Sequence, residues 1–400
     1  MGSIRRRIQG QIPWARPFLS SECSTMTQTN NKPTVCHVLH TLSVGGAEVL
    51  AREFSRQGKH DFRFVFACLD ELGSMGEELL ASNYEVISLQ RKPGIDIGTA
   101  KRLKAYCKAQ NVDVIHAHQY TPFFYSSMSR VIGNRLPVLF TEHGRTFPDF
   151  RRSKRVFANQ FLFSKKDSVI AVGNQVKRAL IENEGIAEKK IEVIYNGIDV
   201  QRFIPKPEVR DQTRRNLGIE SDETVIIHVA RLDPLKDHLS AIRAFGLLKE
   251  TPGIKLLIVG EGPESNNIKA EINNLDLQAS VSMLGLRDDI PDLLNAADAC
   301  LLTSRSEGIP LTLAEAMATQ LPVVATKVGG VPEIVNDGET GFLCEAGDTK
   351  SLAASISELC NSPEQRAAFG QAGRRRIIEH FNADEMHKQY QSKYLQMATR

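Results

Sequence analysis

No stretch of the 400-residue sequence approaches the ~18 continuous apolar residues that a membrane-spanning helix needs. The seven cysteines (Cys23, Cys36, Cys68, Cys107, Cys300, Cys344, Cys360) are odd in number, scattered, and never spaced C-x-x-C. That pattern argues against a disulfide framework and a zinc site, and it fits a reducing cytoplasm. The formal net charge is only +3, too little to imply a nucleic-acid partner. Asp-x-Asp, the usual chelator of a metal-diphosphate, occurs nowhere. G-x-G-x-x-G is also missing, which disfavours a nicotinamide-dependent dehydrogenase. What remains is an ordinary globular composition, 42% hydrophobic and 24% charged, long enough for two or three domains.

Residues 1–33 read as a disordered leader. Arg5, Arg6 and Arg7 precede a Ser/Thr/Gln/Asn-rich stretch ending at Pro33, with no apolar core of the signal-peptide kind and with Met26 as a second candidate start. From Thr34 onward, short Val/Ile/Phe-rich runs alternate with helical patterns: Val35–His40, Phe62–Leu69, Val112–His116, Val138–Thr141, Val169–Val172 and Ile191–Tyr195. Asn196–Arg215, with Gly197, Pro205 and Pro207, reads as a linker. A second set follows: Val225–Val229, Lys255–Val259, Val281–Leu284, Ala299–Thr303, Pro322–Ala325 and Gly341–Leu343. In the final stretch, Ile377, Ile378, Phe381, Met386, Tyr390 and Tyr394 are candidate buried positions of a helix. Strands alternating with helices imply parallel sheets covered on both faces. The expected organisation is a first domain at 34–200, a second at 201–378 and a returning helix at 379–400. Ligands of doubly wound sheets bind beyond the carboxyl ends of the strands, so chemistry belongs in the loops just after each run.

Four such loops stand out. Ser304-Arg305-Ser306-Glu307-Gly308-Ile309-Pro310 follows one run and leads into a helical stretch with Leu311, Thr312 and Glu315, so that Glu307 and Glu315 are spaced E-x7-E. A proline is at home near a helix start, and the free N–H groups there attract an anion such as a diphosphate. The carboxylates beside it suit sugar hydroxyls; alone, the pair is equally well a loop acid and a helix acid. Arg231 and Lys236 follow the first run of the second half, two cations suited to a leaving diphosphate, or simply a surface pair on a turn. Gly45 and Gly46 follow the first run of the chain and let backbone approach a ligand. Thr141-Glu142-His143-Gly144 places His143 where it meets a sugar hydroxyl or an acceptor, whereas His116 of Ile115-His116-Ala117-His118 reads as structural.

These pieces together resemble glycosyltransferase family 4, within the GT-B fold. They are V-G-G-A-E at 44–48, T-E-H-G at 141–144, Y-N-G-I-D at 195–199, V-A-R-L-D-P-L-K-D at 229–237, V-G-E-G-P-E at 259–264, S-E-G-I-P-L-T-L-A-E-A-M-A at 306–318 and V-G-G-V-P-E-I-V at 328–335. The resemblance covers nearly all of Thr34–Tyr394. It implies two Rossmann-like domains facing across a cleft, retention of anomeric configuration, and a nucleotide-sugar donor used without a bound metal or other cofactor. By the same resemblance, Arg231 and Lys236 hold the donor diphosphate, Glu307 contacts the donor sugar and Glu315 binds the ribose hydroxyls. The Gly45-Gly46 loop closes on the diphosphate or acceptor, and His143 lies beside the transferred sugar. Many members have Phe-Gly where this chain has Ile309-Pro310. Pro310 offers no N–H, so phosphate contact falls to Gly308, Leu311 or Thr312. UDP-sugars are the family's default donors and GDP-sugars the main alternative. The alternatives to sugar transfer are a nucleotide-sugar epimerase of the same fold and a non-catalytic nucleotide-sugar-binding subunit.

One further segment, residues 150–166, reads FRRSKRVFANQFLFSKK and contains no acid. Phe150, Phe157, Phe161 and Leu162 fall at helical spacing among Arg151, Arg152, Lys154, Arg155, Lys165 and Lys166. Such a helix either packs its aromatics into the domain or lies on an anionic membrane surface. The second possibility implies a lipid-linked saccharide acceptor at the cytoplasmic face.

Overall fold

The computed structural model describes residues 32–43, 45–144 and 149–399. The leader and Met26 lie outside the described residues, as does Val44 of V-G-G-A-E. Two all-parallel sheets organise the described chain. The first contains β1 (Thr34–Leu39), β2 (Arg63–Cys68), β3 (Glu85–Ser88), β4 (Val114–His118), β5 (Val138–Glu142), β6 (Ser168–Ala171) and β7 (Ile191–Val193), in the order β3-β2-β1-β4-β5-β6-β7. The second contains β8 (Thr224–Val229), β9 (Ile254–Val259), β10 (Val281–Gly285), β11 (Ala299–Leu302), β12 (Val323–Thr326) and β13 (Gly341–Cys344), in the order β10-β9-β8-β11-β12-β13. Each sheet is buried on both faces, which is why its strands are near-continuous apolar runs rather than alternating ones. Along β8, for example, Val225 and Ile227 join one core while Ile226 joins the other.

Three readings of the sequence are corrected. Strand β3 was not among the expected runs: it lies at a sheet edge, pairs only with β2, and offers just Val86 and Ile87 as apolar residues. The stretch read as a linker contains the helix Pro207–Asn216. Two of its charges turn inward: Arg210 and Arg214 hold the two carboxylate oxygens of Asp298 at 2.7 and 3.3 Å, while Glu208, Asp211 and Arg215 stay exposed. Asp298 in turn accepts the Val225 N–H, so this ion-pair group ties the helix to the first strand of the second sheet. Finally, Ile378 is exposed, whereas Ile377, Phe381, Met386, Tyr390 and Tyr394 are buried. The C-terminal stretch is two helices, Pro363–His380 and Ala383–Ala398, and the break between them changes which face is covered. The first contributes Ile377 to the core of the second sheet, and the second packs Tyr390 and Tyr394 against the first sheet.

The chain passes between the two sheets twice, and the passages are bonded to each other. Ile198 N–H donates to Phe381 O at 2.9 Å and Ala383 N–H donates to Ile198 O at 3.0 Å. A Cβ on Gly197 would lie 2.5 Å from the Ala383 backbone nitrogen, so this close approach requires a glycine.

Candidate active site

In each sheet the strand order reverses once, between β1 and β4 and between β8 and β11. These switch points open a crevice at the strands' carboxyl ends. Gly45-Gly46 follows β1, and β4 ends in His118. Arg231 and Lys236 follow β8, and Glu307 follows β11. The expected residues therefore flank the two places where the topology itself leaves room.

The structure brings Lys236 and Glu307 into direct contact. Lys236 Nζ lies 2.6 Å from Glu307 Oε1, and the Glu307 side chain is only 8% exposed. Ser304 Oγ donates to the same oxygen at 2.5 Å. The turn that carries Lys236, Pro234–Lys236, is fastened from β11: Thr303 Oγ1 donates to Asp237 O at 2.9 Å, and Arg305 N–H donates to Leu235 O at 2.7 Å. The loop 306–310 is supported from behind by Gly329-Gly330. A Cβ on Gly329 would lie 1.9 Å from Glu307 O, and Gly330 N–H donates to Gly308 O at 3.0 Å. A buried carboxylate paired with a lysine and held by a hydroxyl is charge-compensated while the cleft is empty.

Arg231 does not join that pair. Its guanidinium bonds Asp233 Oδ2 at 2.9 and 2.7 Å within its own loop, with the side chain 75% exposed. The loop rests on Gly260 and Gly262, where a Cβ would meet Ala230 O at 2.0 Å and Leu232 O at 2.3 Å. Both glycines of V-G-E-G-P-E are thus accounted for by packing beneath Arg231.

Pro310 caps the helix Leu311–Ala318 without a side-chain bond to its first N–H groups. Ile309 and Pro310 are both buried, Ile309 within the core of the second sheet. Their side chains are therefore a correction to the expected donor-binding set, because they pack inward. Leu311, Thr312 and Gly308 are not buried. Glu315, on the same helix, is half-buried, and burial pushes its carboxyl up to about 7, with Arg202 opposing. Across the cleft, Gly45 caps the helix Gly46–Gly58, and a Cβ on Gly46 would meet no described atom within 4 Å. Gly45 lacks that room, because Glu48 Oε2 folds back to 2.4 Å from its Cβ position. His143 belongs to the first domain, and its carbonyl is 3.4 Å from a Cβ placed on Gly308 of the second. The two halves therefore meet where His143 and the 306–310 loop face each other.

Two family models tile this chain, one described as "Glycosyltransferase Family 4" over residues 44–202 and one as "Glycosyl transferases group 1" over residues 209–376. N-acetyl-alpha-D-glucosaminyl L-malate synthase of Bacillus anthracis is 28% identical over 371 residues, covering 88% of this chain and 94% of that one. A glycosyltransferase crystal structure from Rickettsia africae superposes with a TM-score of 0.83 at 26% identity, over 92% of this chain and 99% of that chain. The chain belongs to glycosyltransferase family 4. Its two parallel-sheet domains are those of the GT-B fold. A third relative is the UDP-Gal:alpha-D-GlcNAc-diphosphoundecaprenol alpha-1,3-galactosyltransferase of Escherichia coli, 28% identical over 344 residues, or 83% of this chain and 89% of that one.

In this glycosyltransferase, two features of the site escaped the sequence reading. The first is Glu333 of V-G-G-V-P-E. Its carboxylate crosses between the halves to accept the Asn174 and Gln175 N–H groups at 2.6 and 2.8 Å and the Tyr195 hydroxyl at 2.9 Å. The helix Asn174–Glu184 begins after Gly173, which has no side chain to cap it, and Glu333 supplies the missing acceptor from the other domain. The Pro332-Glu333 pair, a proline and an acid at a helix start, was the available signal, but its target was not. The second is His37, which lies in β1 beside His116 in β4. His37, His116 and His118 bring ring nitrogens within 4.8 Å of one another. Five of their six nitrogens already have hydrogen-bond partners in one another, Tyr394, Thr141 or His143. That arrangement suits hydrogen bonding rather than a metal ion. His116, bonded to Tyr394 and Thr141 hydroxyls at 2.7 and 2.8 Å, is structural as expected.

Proposed function

We propose that this enzyme transfers a hexose-type sugar, with retention, from a nucleoside-diphosphate sugar to a saccharide or lipid-linked saccharide acceptor in glycan biosynthesis. The observation that carries the reading is the Lys236–Glu307 pair beside the uncapped start of the helix Leu311–Ala318. A donor diphosphate placed there meets Lys236, Arg231 and the N–H groups of Leu311 and Thr312, while Glu307 and Glu315 accept from sugar and ribose hydroxyls. Negative charge grows on the leaving diphosphate as the glycosidic bond breaks, so fixed donors act mainly on the transition state. The acceptor oxygen arrives on the face the diphosphate leaves. The name of the Escherichia coli relative favours a UDP-sugar.

The test is donor hydrolysis with a panel of UDP-, GDP- and ADP-sugars, with and without EDTA. We expect one nucleotide class to be turned over, at the same rate in chelator. No turnover of any donor refutes the reading, and an absolute need for Mn²⁺ or Mg²⁺ refutes its metal-free part.

The basic aromatic segment supports a membrane-surface acceptor. In the helix Ser153–Leu162, Phe157 and Phe161 meet edge to face with ring centroids 5.3 Å apart and are 65% and 73% exposed, as is Phe150 at 65%. Leu162 packs against the domain core instead. Arg155 also turns inward, 3.0 Å from buried Glu184 and over the Tyr120 ring. The exposed aromatics with Arg151, Arg152 and Lys154 fit an anionic lipid surface at the cytoplasmic face, each cation contributing about 1 kcal/mol. Wild type is expected to float with anionic liposomes at low salt, and a Phe157→Ser/Phe161→Ser/Lys154→Ser variant is not. Equal flotation of the two, or none by wild type, assigns a soluble acceptor.

A further inference from the structure

Behind His143, three imidazoles form a continuous hydrogen-bonded row. His143 Nε2 lies 2.8 Å from His118 Nδ1, and His118 Nε2 lies 2.9 Å from His37 Nδ1. Strand geometry sets this up. His37 is in the middle of β1, His118 ends β4, and His143 directly follows β5, so adjacent parallel strands deliver one ring each, at increasing height toward the cleft. His37 and His118 are fully buried, and burial holds both imidazoles neutral, His37 pushed down to about 3 and His118 well below its ordinary value. His143 is lowered to about 4 for the same reason.

A row of neutral imidazoles has only two internally consistent proton arrangements. Each ring carries one N–H and one lone pair, so all protons point toward the cleft or all point inward. A single reversed ring would set two N–H groups or two lone pairs against each other between buried rings. The inner end selects between the two. His37 Nε2 is buried and has no hydrogen-bond partner among the described residues. The rings of Phe54, Phe64 and Phe66 lie 14°, 19° and 24° from parallel to His37 and cover its faces, and the one ring edge-on to it among the described residues, Tyr394 at 83°, has its centroid 6.4 Å away, too far for a close N–H···π contact. Among backbone groups, orphaned buried N–H groups are rarer than under-satisfied acceptors, and by the same preference we assign the His37 proton to Nδ1, with the bare lone pair at Nε2. The order then propagates: His37 Nδ1–H donates to His118 Nε2, and His118 Nδ1–H donates to His143 Nε2. The remaining His143 proton is on Nδ1, which no described group engages.

We propose that His37 and His118 are positioning residues that fix His143 as the Nδ1–H tautomer, making it a permanent hydrogen-bond donor toward the cleft and not a general base. The proposal rests on the reading of His143 as a neighbour of the transferred sugar. Its chemistry is that of an N–H aimed at an oxygen, a sugar hydroxyl or a phosphate oxygen of the donor, with no proton removed from the acceptor.

The decisive experiment has a readout independent of activity. In the ¹⁵N-labelled full-length protein, two-bond ¹H–¹⁵N correlations distinguish Nδ1–H from Nε2–H imidazoles. His37, His118 and His143 are expected to be Nδ1–H, and an Nε2–H pattern at His143 overturns the proposal. His37→Phe fills the aromatic cage without polar atoms and releases His118 Nε2. It is expected to mix the tautomers of His118 and His143 and to lower kcat about tenfold, with the donor KM unchanged. His118→Asn, whose amide can donate from near the Nδ1 position, is expected to keep most of the turnover that His118→Phe loses. His37→Phe/His143→Ala is expected to be no slower than His143→Ala, because the two act as one unit. Unchanged tautomers and turnover in His37→Phe, or additive losses in the double variant, overturn the relay. Wild-type turnover in His143→Ala, with the Nδ1–H pattern present, instead removes His143 from the site and leaves the proton order intact.

Discussion

Lys236→Met is expected to lower turnover by about 10²–10³-fold, because it removes a fixed positive charge from the place proposed for the leaving diphosphate. The same substitution strands Glu307, whose side chain is 8% exposed and whose Oε1 lies 2.6 Å from the lysine nitrogen. Leaving a buried acceptor short of a partner costs about 1–3 kcal/mol, so the variant should also be less stable. The two effects separate in Lys236→Met/Glu307→Gln, where no buried charge is left alone. That double variant should recover most of the stability, measured by denaturant unfolding, and none of the turnover, measured in single-turnover transfer. Recovery of turnover along with stability would mean that Lys236 only neutralises Glu307 and has no part in the chemistry. Ser304, still able to donate to position 307, keeps that side chain in place in the comparison.

Glu315 should make donor affinity depend on pH. Burial raises its carboxyl from an ordinary 4.5 to about 7. In the proposed role, ribose hydroxyls donate to the ionised form, so bound donor favours ionisation and affinity is expected to rise with pH up to about 7, then level. Below that value each pH unit should cost up to about tenfold in Kd. A UDP-sugar is the right probe, because its diphosphate diester does not titrate in this range. Glu315→Gln should flatten the profile and weaken binding by roughly 1.5–3 kcal/mol at high pH, the contribution of hydrogen bonds to a charged group. The free enzyme should show the opposite trend in stability. A raised folded-state value means that the contribution of Glu315 is fully present below 4.5 and is lost as pH rises through 7. A pH slope in donor affinity that survives Glu315→Gln would assign the titration to another group.

The sequence was legible wherever a local signal and its consequence fall in the same few residues. Strand runs such as Thr224–Val229 are apolar because both faces of a parallel strand are covered, and they read directly. The carboxyl-end loops could be found from those runs, which placed Lys236, Glu307 and Glu315 in the search at once. Edge strand β3 failed the same test, since one neighbour leaves its residues half-buried and its composition mixed. The charged stretch 207–216 looked solvated because its acid partner, Asp298, is far away in sequence.

The aromatic stripe at 150–166 shows how periodicity alone stops short. Phe157, Phe161 and Leu162 share helical spacing, but Leu162 faces the core while both phenylalanines face solvent. Phe157 and Phe161, four residues apart, share one face, but Leu162 follows Phe161 directly and lies about 100° round the helix, and periodicity does not say which face meets the core. Charge was similarly ambiguous. Arg231 and Lys236 read as one diphosphate clamp, yet Arg231 is held by Asp233 in its own loop and Lys236 by Glu307 from another strand.

By itself, then, the order of residues determined two parallel α/β halves, the loops at the strands' carboxyl ends, and the family, because each rests on composition and spacing within a short segment. Only the tertiary structure decided which groups neutralise one another and which point into the cleft. Lys236 with Glu307, Glu333 with the helix at Asn174, and His37 with His118 and His143 are contacts between residues far apart in the chain. They exist because parallel strands place their carboxyl ends side by side, and strand order, which no local pattern encodes, chooses the neighbours.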